Sequence, residues 1–210
     1  VQKALRDRDP EEMFDEVMLP ALKNLKSSRY AGHLDSVDHA RICTMTKEII
    51  EDRLDEIAEP SYAELDLTEP LRILACPAQD ELDQLSLQGI QARLPSSYWT
   101  VKVTSSTLLT AELLAEAQAF DPQVILIASF PPDGIAHTRY LIKRFRQCLP
   151  HAHLVVCRWT DATIVEEEWK LVGCDATINS FQEALRHLRS RRAILQARKD
   201  IPDTELASQT

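Results

Sequence analysis

Eight polar or aromatic side chains that could bind a small molecule follow short apolar runs of this sequence. They are Gln79, Asp80, Ser105, Ser106, Ser129, Arg158, Trp159 and Asn179. If the apolar runs are parallel strands, their carboxyl ends meet at one edge of a sheet, where ligands of such sheets bind. Amide, hydroxyl, guanidinium and indole groups suit hydrogen bonding and stacking. We therefore predict a candidate ligand-binding edge with no catalytic residue.

The turn after the first apolar run, "ACPAQDELDQLSL" at 75–87, contains no glycine, lysine or histidine. The chain has only 4 glycines, and neither a dinucleotide-binding motif nor a P-loop can be drawn from them. We predict that this turn is a structural joint, in which Asp80 caps the following helix and Asp83 takes its third position. Leu82 and Leu85 should then pack inward.

Enzymatic activity is an alternative to ligand binding at these residues. Ser129 could act as a nucleophile with His137, but it lies outside any G-x-S-x-G motif and no third catalytic member is evident. The 6 histidines show no metal-ligand spacing on one helix face, and the 5 cysteines form no C-x-x-C pair. We predict no enzymatic activity, no metal and no disulfide framework.

Five apolar runs alternate with helical stretches from residue 71 onward. The runs are 72–78, 99–105, 124–130, 153–159 and 176–180. Strands that alternate with helices of about 12–15 residues indicate parallel β-α-β units. The fold class predicted for 71–199 is α/β, a flavodoxin-like doubly wound sheet of five parallel strands.

The remaining chain is predicted to flank this sheet domain. Residues 1–58 should form a small helical segment with two main helices, and the polar residues 59–70 should form a linker. Residues 200–210 are expected to be a disordered tail. The helix that begins near Ser180 should run to about residue 198, which is longer than the sheet needs.

The two helices of the helical segment carry start signals and an apolar face. Asp9 should cap the first helix, which Pro20 should kink because proline removes a backbone donor. Asp35 or Ser36 should cap the second helix. The expected apolar faces are Phe14, Val17, Met18, Ala21, Leu22 and Leu25 in the first helix and Ile42, Met45, Ile49, Ile50, Leu54 and Ile57 in the second.

Charge and hydropathy exclude two classes of partner. The formal net charge is −9, and an acidic chain lacks the phosphate-neutralising face that nucleic-acid binding needs. No run of about 18 apolar residues occurs, so nothing in this stretch is expected to span a membrane. The cysteine pattern is typical of a reducing compartment.

A small helical bundle followed by a flavodoxin-like domain resembles the layout of cobalamin-binding modules. Residues 104–129 resemble the segment that those modules place beside the corrin ring. The family's first loop carries D-x-H-x-x-G, and aligning Asp80 with its aspartate puts Leu82 at the cobalt-ligating histidine and Leu85 at the glycine. Arg158 and Trp159 stand where a Gly-Gly pair is expected. The resemblance implies the fold and argues against histidine-ligated cobalamin, so we expect no cofactor.

A second resemblance concerns residues 13–35 and 74–94. These segments are similar to the soluble C-terminal extension of bacterial permeases of the autoinducer-two exporter type. The resemblance implies a membrane portion of the same polypeptide as the partner. It also implies a location at the cytoplasmic face of the bacterial inner membrane, as a domain of a larger membrane protein.

Two functions therefore stay open. The first is a non-catalytic cytosolic regulatory or interaction domain of a bacterial membrane transporter. The alternative is a small-molecule sensor that binds cobalamin without histidine ligation, or another ligand, with Tyr98 and Trp159 as flat packing surfaces. Phe181, Leu185, Leu188 and Leu195 share one face of the long last helix, whose excess length is expected to pair with another copy, giving a homodimer, or with the two-helix segment.

Overall fold

Five parallel strands form the single sheet of the computed structural model, which describes residues 10–55, 69–160, 169 and 172–199. The strands are Leu71–Pro77 (β1), Trp99–Val103 (β2), Val124–Ser129 (β3), His153–Arg158 (β4) and Ala176–Ile178 (β5). Their order is β2-β1-β3-β4-β5, and every neighbouring pair is parallel. This order is the flavodoxin-like arrangement, so the predicted fold class is confirmed.

Seven α-helices and one π-helical turn lie in the described residues. The helices are Pro10–Met13 (α1), Leu19–Tyr30 (α2), Ser36–Asp55 (α3), Glu81–Ala92 (α4), Thr110–Phe120 (α5), Ile135–Cys148 (α6) and Phe181–Lys199 (α7). The π-helical turn, Phe14–Met18, joins α1 to α2. None of these helices combines the length and the apolar character that a membrane span requires.

Helices cover both faces of the sheet, as the burial of β3 shows. All six residues of β3 are buried, as a central strand between two helical layers requires. Its alternate residues point to opposite faces, so Leu126 packs with α4 and α7, whereas Ile127 packs with α5 and α6. The helical segment α1–α3 joins the first of these cores and therefore packs on the same side of the sheet as α4 and α7.

Pro20 acts through the π-helical turn that precedes it. Proline has no backbone donor, so the regular hydrogen-bond pattern is interrupted at Pro20. Just before it, the amide of Leu19 donates to the carbonyl oxygen of Phe14, five residues back, as in a π-helix. The extra residue in this turn rotates the following helix. The predicted face is therefore wrong at Val17 and Ala21, which are exposed, while Leu19 is buried.

Phe14 seats the helical segment on α4. A Cβ placed on Gly89 would lie 2.0 Å from Cζ of Phe14, so the ring occupies the space that any other residue would fill. The same ring stacks on Phe181 of α7, with centroids 4.1 Å apart. The first helix of the segment is thus held between two helices of the sheet domain.

The second helix of the segment, α3, buries a different face from the predicted one. Asp35 caps it as expected, accepting hydrogen bonds from the amides of Val37 and Asp38. Ile50 is buried as predicted, but Ile42, Met45 and Ile49 are exposed, and the other buried residues are His39 and Cys43. A shift of one residue turns a helix face by about 100°, and α3 makes that shift to place Cys43 against the first turn of α4.

The last helix, α7, begins and ends within one residue of the predicted limits. Its later turns dock on the sheet domain, because Arg192 is buried, donates to the carbonyl oxygen of Tyr98 at 2.7 Å and stacks on the Tyr98 ring. Arg189 reaches Glu11 of α1 at 2.7 Å. Part of the extra length therefore contacts the helical segment, and the homodimer stays a prediction.

Several expectations fall outside the described residues. These are the Asp9 cap, the apolar side chains of Leu54 and Ile57, the linker up to residue 68, most of the helix between β4 and β5, and the tail from residue 200.

His153 of β4 and His187 of α7 form a half-buried pair. Their Nε2 atoms lie 3.0 Å apart and their rings stack at 5.2 Å. Burial and the nearby charge of Arg191 lower the pKa of His153 to about 4, against the opposing effect of Asp175. The same two causes lower the pKa of His187. The folded protein therefore holds both imidazoles neutral.

Protonation of this pair should weaken the fold in acid. Below about pH 6.5 the unfolded chain binds more protons than the folded one, so stability is lost as pH falls toward about 4. We expect a loss of about 1–2 kcal/mol after allowance for solvent screening. Urea unfolding at about pH 7 and about pH 4.5 measures it.

A double variant isolates the contribution of the pair. The variant His153→Gln, His187→Gln should lose less stability across this interval than wild type, whereas His33→Gln, at an exposed position, should match wild type. Equal losses in wild type and the double variant would contradict the prediction.

Candidate functional site

A buried carboxylate, Asp83, lies at the centre of the predicted ligand edge. It occupies the third position of α4 and is fully buried. Its Oδ1 accepts a hydrogen bond from the amide of Phe130 at 2.9 Å, and its Oδ2 accepts one from the amide of Gln79 at 3.0 Å. These amides belong to the loops that follow β3 and β1, so one carboxylate ties two strand ends together.

Lys26 of α2 completes this centre from the helical segment. Its Nζ lies 2.9 Å from Oδ1 of Asp83 and 3.3 Å from Oδ2 of Asp80, and the residue is only 6% exposed. Burial raises the pKa of Asp83, while Lys26 and the Phe130 amide oppose that rise by favouring the carboxylate. The pair therefore joins the helical segment to the strand ends through buried charges, each of which depends on the other.

The turn at 77–85 forms the predicted structural joint. Asp80 caps α4, accepting from the amides of Leu82 at 3.1 Å and Asp83 at 3.3 Å. Leu82 and Leu85 are buried, as expected. The capping geometry explains why this turn needs no glycine, since Asp80 adopts an ordinary extended backbone conformation.

Arg158 at the end of β4 fills the space beyond β3. Its Nη1 donates to Oγ of Ser129 at 2.9 Å and to the carbonyl oxygen of Asp133 at 2.6 Å. Burial lowers the pKa of Arg158, while the carboxylates of Asp83 and Asp133 raise it. Ser129 is fully buried with its hydroxyl engaged, whereas His137 is exposed on α6. The structure therefore does not offer Ser129 to a substrate as a nucleophile.

The glycine after this network makes room for it. Gly134 has a φ of +90°, and a Cβ there would lie 3.1 Å from Cβ of Ser129 and 3.3 Å from Oε1 of Gln79. The left-handed φ favours glycine, and so does the lack of space for a Cβ beside the two side chains.

Trp159 turns inward at the same edge. Its indole nitrogen donates to Oγ of Ser86 at 2.9 Å, and that hydroxyl donates to the carbonyl oxygen of Asp83 at 2.7 Å. The ring packs near Phe130, with centroids 6.3 Å apart, and the residue is 2% exposed. The indole is thus buried, and its donor is satisfied by the protein.

The other predicted ligand residues lie in two separate places. Ser105 and Ser106 belong to a turn after β2, where Oγ of Ser105 lies 2.8 Å from the Thr107 hydroxyl and the amide of Ser106 donates to Gln84 at 2.9 Å. Asn179 precedes α7, and its backbone amide donates to Oε2 of Glu183 at 3.1 Å.

Asp15 of the π-helical turn covers the start of α7. Its carboxylate accepts hydrogen bonds from the amides of Phe181 and Gln182, the latter at 3.0 Å. The N-terminus of a helix carries partial positive charge and attracts anions. An internal carboxylate from the helical segment therefore occupies this anion-binding position.

One cavity of about 620 Å³ adjoins this end of the sheet. It opens between the helical segment and the residues that follow β4 and β5, and it includes two of the predicted ligand residues, Trp159 and Asn179. Its charged lining residues include acidic Glu12, Asp15 and Glu16 and basic Lys23, all from the helical segment. The eight predicted residues thus divide into a closed network, a separate turn and this cavity.

Sequence reasoning missed the residues that close the edge. Lys26 lies beside Leu22 and Leu25 on the buried face of α2, and a lysine on an apolar face is the signal that could have found it. Asp15 meets its partners 166 and 167 residues further along the chain. Local sequence carries no sign of that contact.

No family model and no curated protein matches this chain. Among solved structures, a cobalamin-binding protein from Desulfitobacterium hafniense has a TM-score of 0.49 at 10% identity, covering 90% of this chain and 86% of that one. A monomethylamine corrinoid protein from Methanosarcina barkeri has 0.47 at 13%, covering 86% and 98%. The receiver domain of a Mycobacterium tuberculosis response regulator has 0.46 at 14%, covering 60% and 98%. The fold assignment rests on the strand order rather than on these similarities.

Proposed function

We propose that this chain is a non-catalytic regulatory or interaction domain whose ligand-binding edge is closed by its own side chains. The observation that carries the proposal is the buried pair Lys26–Asp83, which joins the helical segment to the ends of β1 and β3. Polar groups that would hold a ligand in an open sheet are already engaged with one another here. No cofactor is part of the proposal, since Leu82 offers no ligand to cobalt.

The helical segment is the element through which such a domain would be regulated. It docks through three different contacts, which are the Phe14 ring on Gly89, the Asp15 carboxylate at α7 and the Lys26–Asp83 pair. Displacing the segment would expose all three positions together. A partner that binds only one of the two arrangements would shift the population between them, as two-state switches require.

Breaking the buried pair should loosen the segment while the sheet stays folded. Cys43 lies on α3 and is 1% exposed, so its reaction with a thiol reagent reports the opening of the segment. We expect Lys26→Gln to raise the labelling rate of Cys43 at least about 10-fold, because it leaves Asp83 buried without its cation. Mass spectrometry of the Cys43 peptide measures the rate.

The matched control for this experiment is Lys47→Gln. Lys47 lies on α3 itself and pairs with Glu51 at 3.7 Å on the surface, where a salt bridge adds little stability. Its labelling rate should equal that of wild type. An unchanged rate in Lys26→Gln, with the sheet still folded by circular dichroism, would contradict regulation through the segment.

We further propose that the domain serves a bacterial membrane transporter at the cytoplasmic face of the inner membrane. The resemblance of 13–35 and 74–94 to permease extensions supports this assignment, and the membrane portion of the same polypeptide would be its partner. Sequencing the coding region upstream of Val1 tests the proposal directly. Predicted membrane spans there would support it, and an upstream region without them would contradict it.

A small-molecule sensor is the second candidate function. The cavity of about 620 Å³ favours it, because Trp159 and Asn179 contribute to its wall beside charged Asp15 and Lys23. A ligand in this cavity would touch both the helical segment and the residues after β4 and β5. Binding would then be coupled directly to the position of the segment.

A further inference from the structure

Three side chains with metal-binding atoms meet where α3 contacts the start of α4. His39 and Cys43 lie four residues apart on α3, and Glu81 is the first residue of α4. One ligand atom from each of the three lies within 4.8 Å of the other two. Sγ of Cys43 is 3.8 Å from both ring nitrogens of His39.

These distances are close to those around a tetrahedral metal ion. Bonds of about 2.3 Å to sulfur, 2.0–2.1 Å to imidazole nitrogen and 2.0–2.2 Å to carboxylate oxygen place neighbouring ligand atoms about 3.4–3.6 Å apart. The separation of Cys43 and His39 exceeds this by a few tenths of an ångström, and the separations that involve Glu81 are at most 4.8 Å. Side-chain rotations on binding would have to bring the three ligand atoms together.

We propose that His39, Cys43 and Glu81 bind Zn²⁺ or a similar borderline divalent ion, with water in the fourth position. Imidazole, thiolate and carboxylate together suit zinc and cobalt, whereas calcium and magnesium prefer oxygen ligands alone. Glu81 is exposed, which gives the ion an entry path from solvent.

The orientation of α3 supports a site at this contact. The helix turns His39 and Cys43 inward and leaves Ile42, Met45 and Ile49 exposed. Burial of apolar surface alone would favour the opposite rotation, because each isoleucine or methionine side chain gains about 1.5–3 kcal/mol on burial. The helix is instead placed so that its two metal-binding side chains face Glu81.

The charges around the site are compatible with a divalent cation. A metal binds the neutral imidazole of His39, the thiolate of Cys43 and the carboxylate of Glu81. Binding displaces the thiol proton of Cys43 to solvent, and the thiolate with Glu81 then balances the two positive charges. Asp80 adds negative charge nearby, and Arg29, which lies 3.4 Å from Nε2 of His39, is exposed and can move aside.

A bound ion would cross-link the helical segment to the sheet domain. It would join α3 to the first turn of α4, next to the Asp80 cap and the Lys26–Asp83 pair. Docking of the segment would then depend on metal availability. The site itself does not require the proposed regulatory function, since metal binding and the effect of Lys26→Gln are measured separately.

Cobalt(II) titration of the intact, metal-free chain tests the site. Thiolate ligation gives Co²⁺ a charge-transfer band, and tetrahedral geometry gives strong visible bands, so both should appear and saturate at one equivalent. Zn²⁺ should displace Co²⁺, abolish the bands and raise the thermal midpoint of unfolding. Absence of the bands, or a midpoint that Zn²⁺ does not change, would overturn the proposal.

Variants assign the bands to the three ligands. Cys43→Ser should abolish the charge-transfer band, while Cys148→Ser, at a partly exposed cysteine outside the cluster, should keep it. Glu81→Gln alters only an exposed side chain, so it should stay folded and weaken Co²⁺ binding at least about 10-fold. Wild-type affinity in Glu81→Gln, or loss of the band in Cys148→Ser, would overturn the assignment.

Discussion

Replacing Asp83 by alanine is expected to lower the free energy of unfolding by about 3–5 kcal/mol. The substitution removes the acceptor for two buried amides, those of Phe130 and Gln79, and it leaves the buried ammonium of Lys26 with only the more distant, partly exposed carboxylate of Asp80. A buried cation that loses its nearer anion and buried donors that lose their acceptor both cost free energy. Urea unfolding followed by circular dichroism measures the loss.

A second substitution, at Lys26, separates the effect of its buried charge from that of the two lost amide hydrogen bonds. Lys26→Met should restore part of the loss when it is combined with Asp83→Ala, because the double variant no longer buries a charge that has lost its nearer partner. The surface change Lys47→Gln should leave stability within about 0.5 kcal/mol of wild type. A loss below about 1 kcal/mol in Asp83→Ala would contradict a central role for this carboxylate.

Replacing Gly89 by alanine should destabilise the protein by about 1–3 kcal/mol, although alanine forms helix more readily than glycine by about 1 kcal/mol. The added Cβ would stand 2.0 Å from Cζ of Phe14. The ring cannot retreat freely, because it is buried and stacked on Phe181 at 4.1 Å. The steric conflict must therefore move the helical segment away from α4.

A double-mutant cycle shows whether the clash is the cause. Phe14→Ala alone should cost about 3–5 kcal/mol by emptying the seat on α4. In that background Gly89→Ala should become neutral or stabilising by up to about 1 kcal/mol, because only the helix propensity remains. Equal effects of Gly89→Ala in both backgrounds would show that the segment does not rest on this glycine.

The sheet could be predicted because its strands carry their own signals. Runs such as Val124–Ser129 are apolar on both faces and are bounded by polar residues or proline, so their limits and their parallel pairing follow from local sequence. The cap at Asp80 and the inward packing of Leu82 also follow from spacing alone. Each of these features depends on residues that are close together in the chain.

The helical segment was harder to predict because its contacts are distant in sequence. Lys26 meets Asp83 across 57 residues, and Asp15 meets Phe181 across 166. The π-helical turn before Pro20 leaves Val17 and Ala21 exposed, and α3 turns toward α4 through His39 and Cys43 while Ile42 and Ile49 are exposed. At these positions the contact with the sheet domain overrides the local apolar pattern, whereas Met18, Leu22 and Ile50 are buried as that pattern predicts.

The candidate site was predicted only in part, because it depends on both local sequence and distant contacts. Polar side chains at the strand ends do lie along one edge, as parallel pairing requires, but Arg158, Ser129 and Asp83 are engaged by protein groups there. A list of residue types cannot distinguish side chains that await a ligand from side chains that satisfy one another. Here the distinction depends on Lys26, which belongs to the helical segment and cannot be inferred from the sequence of the sheet domain.

Incubation with hydroxocobalamin, followed by gel filtration and a visible spectrum of the protein fractions, tests the closed edge most directly. With Leu82 in the first turn of α4, Trp159 buried and the Lys26–Asp83 pair in place, we predict no corrin absorption in the protein fractions. Stoichiometric co-elution of corrin with the chain would contradict a closed edge and would establish the sensor function instead.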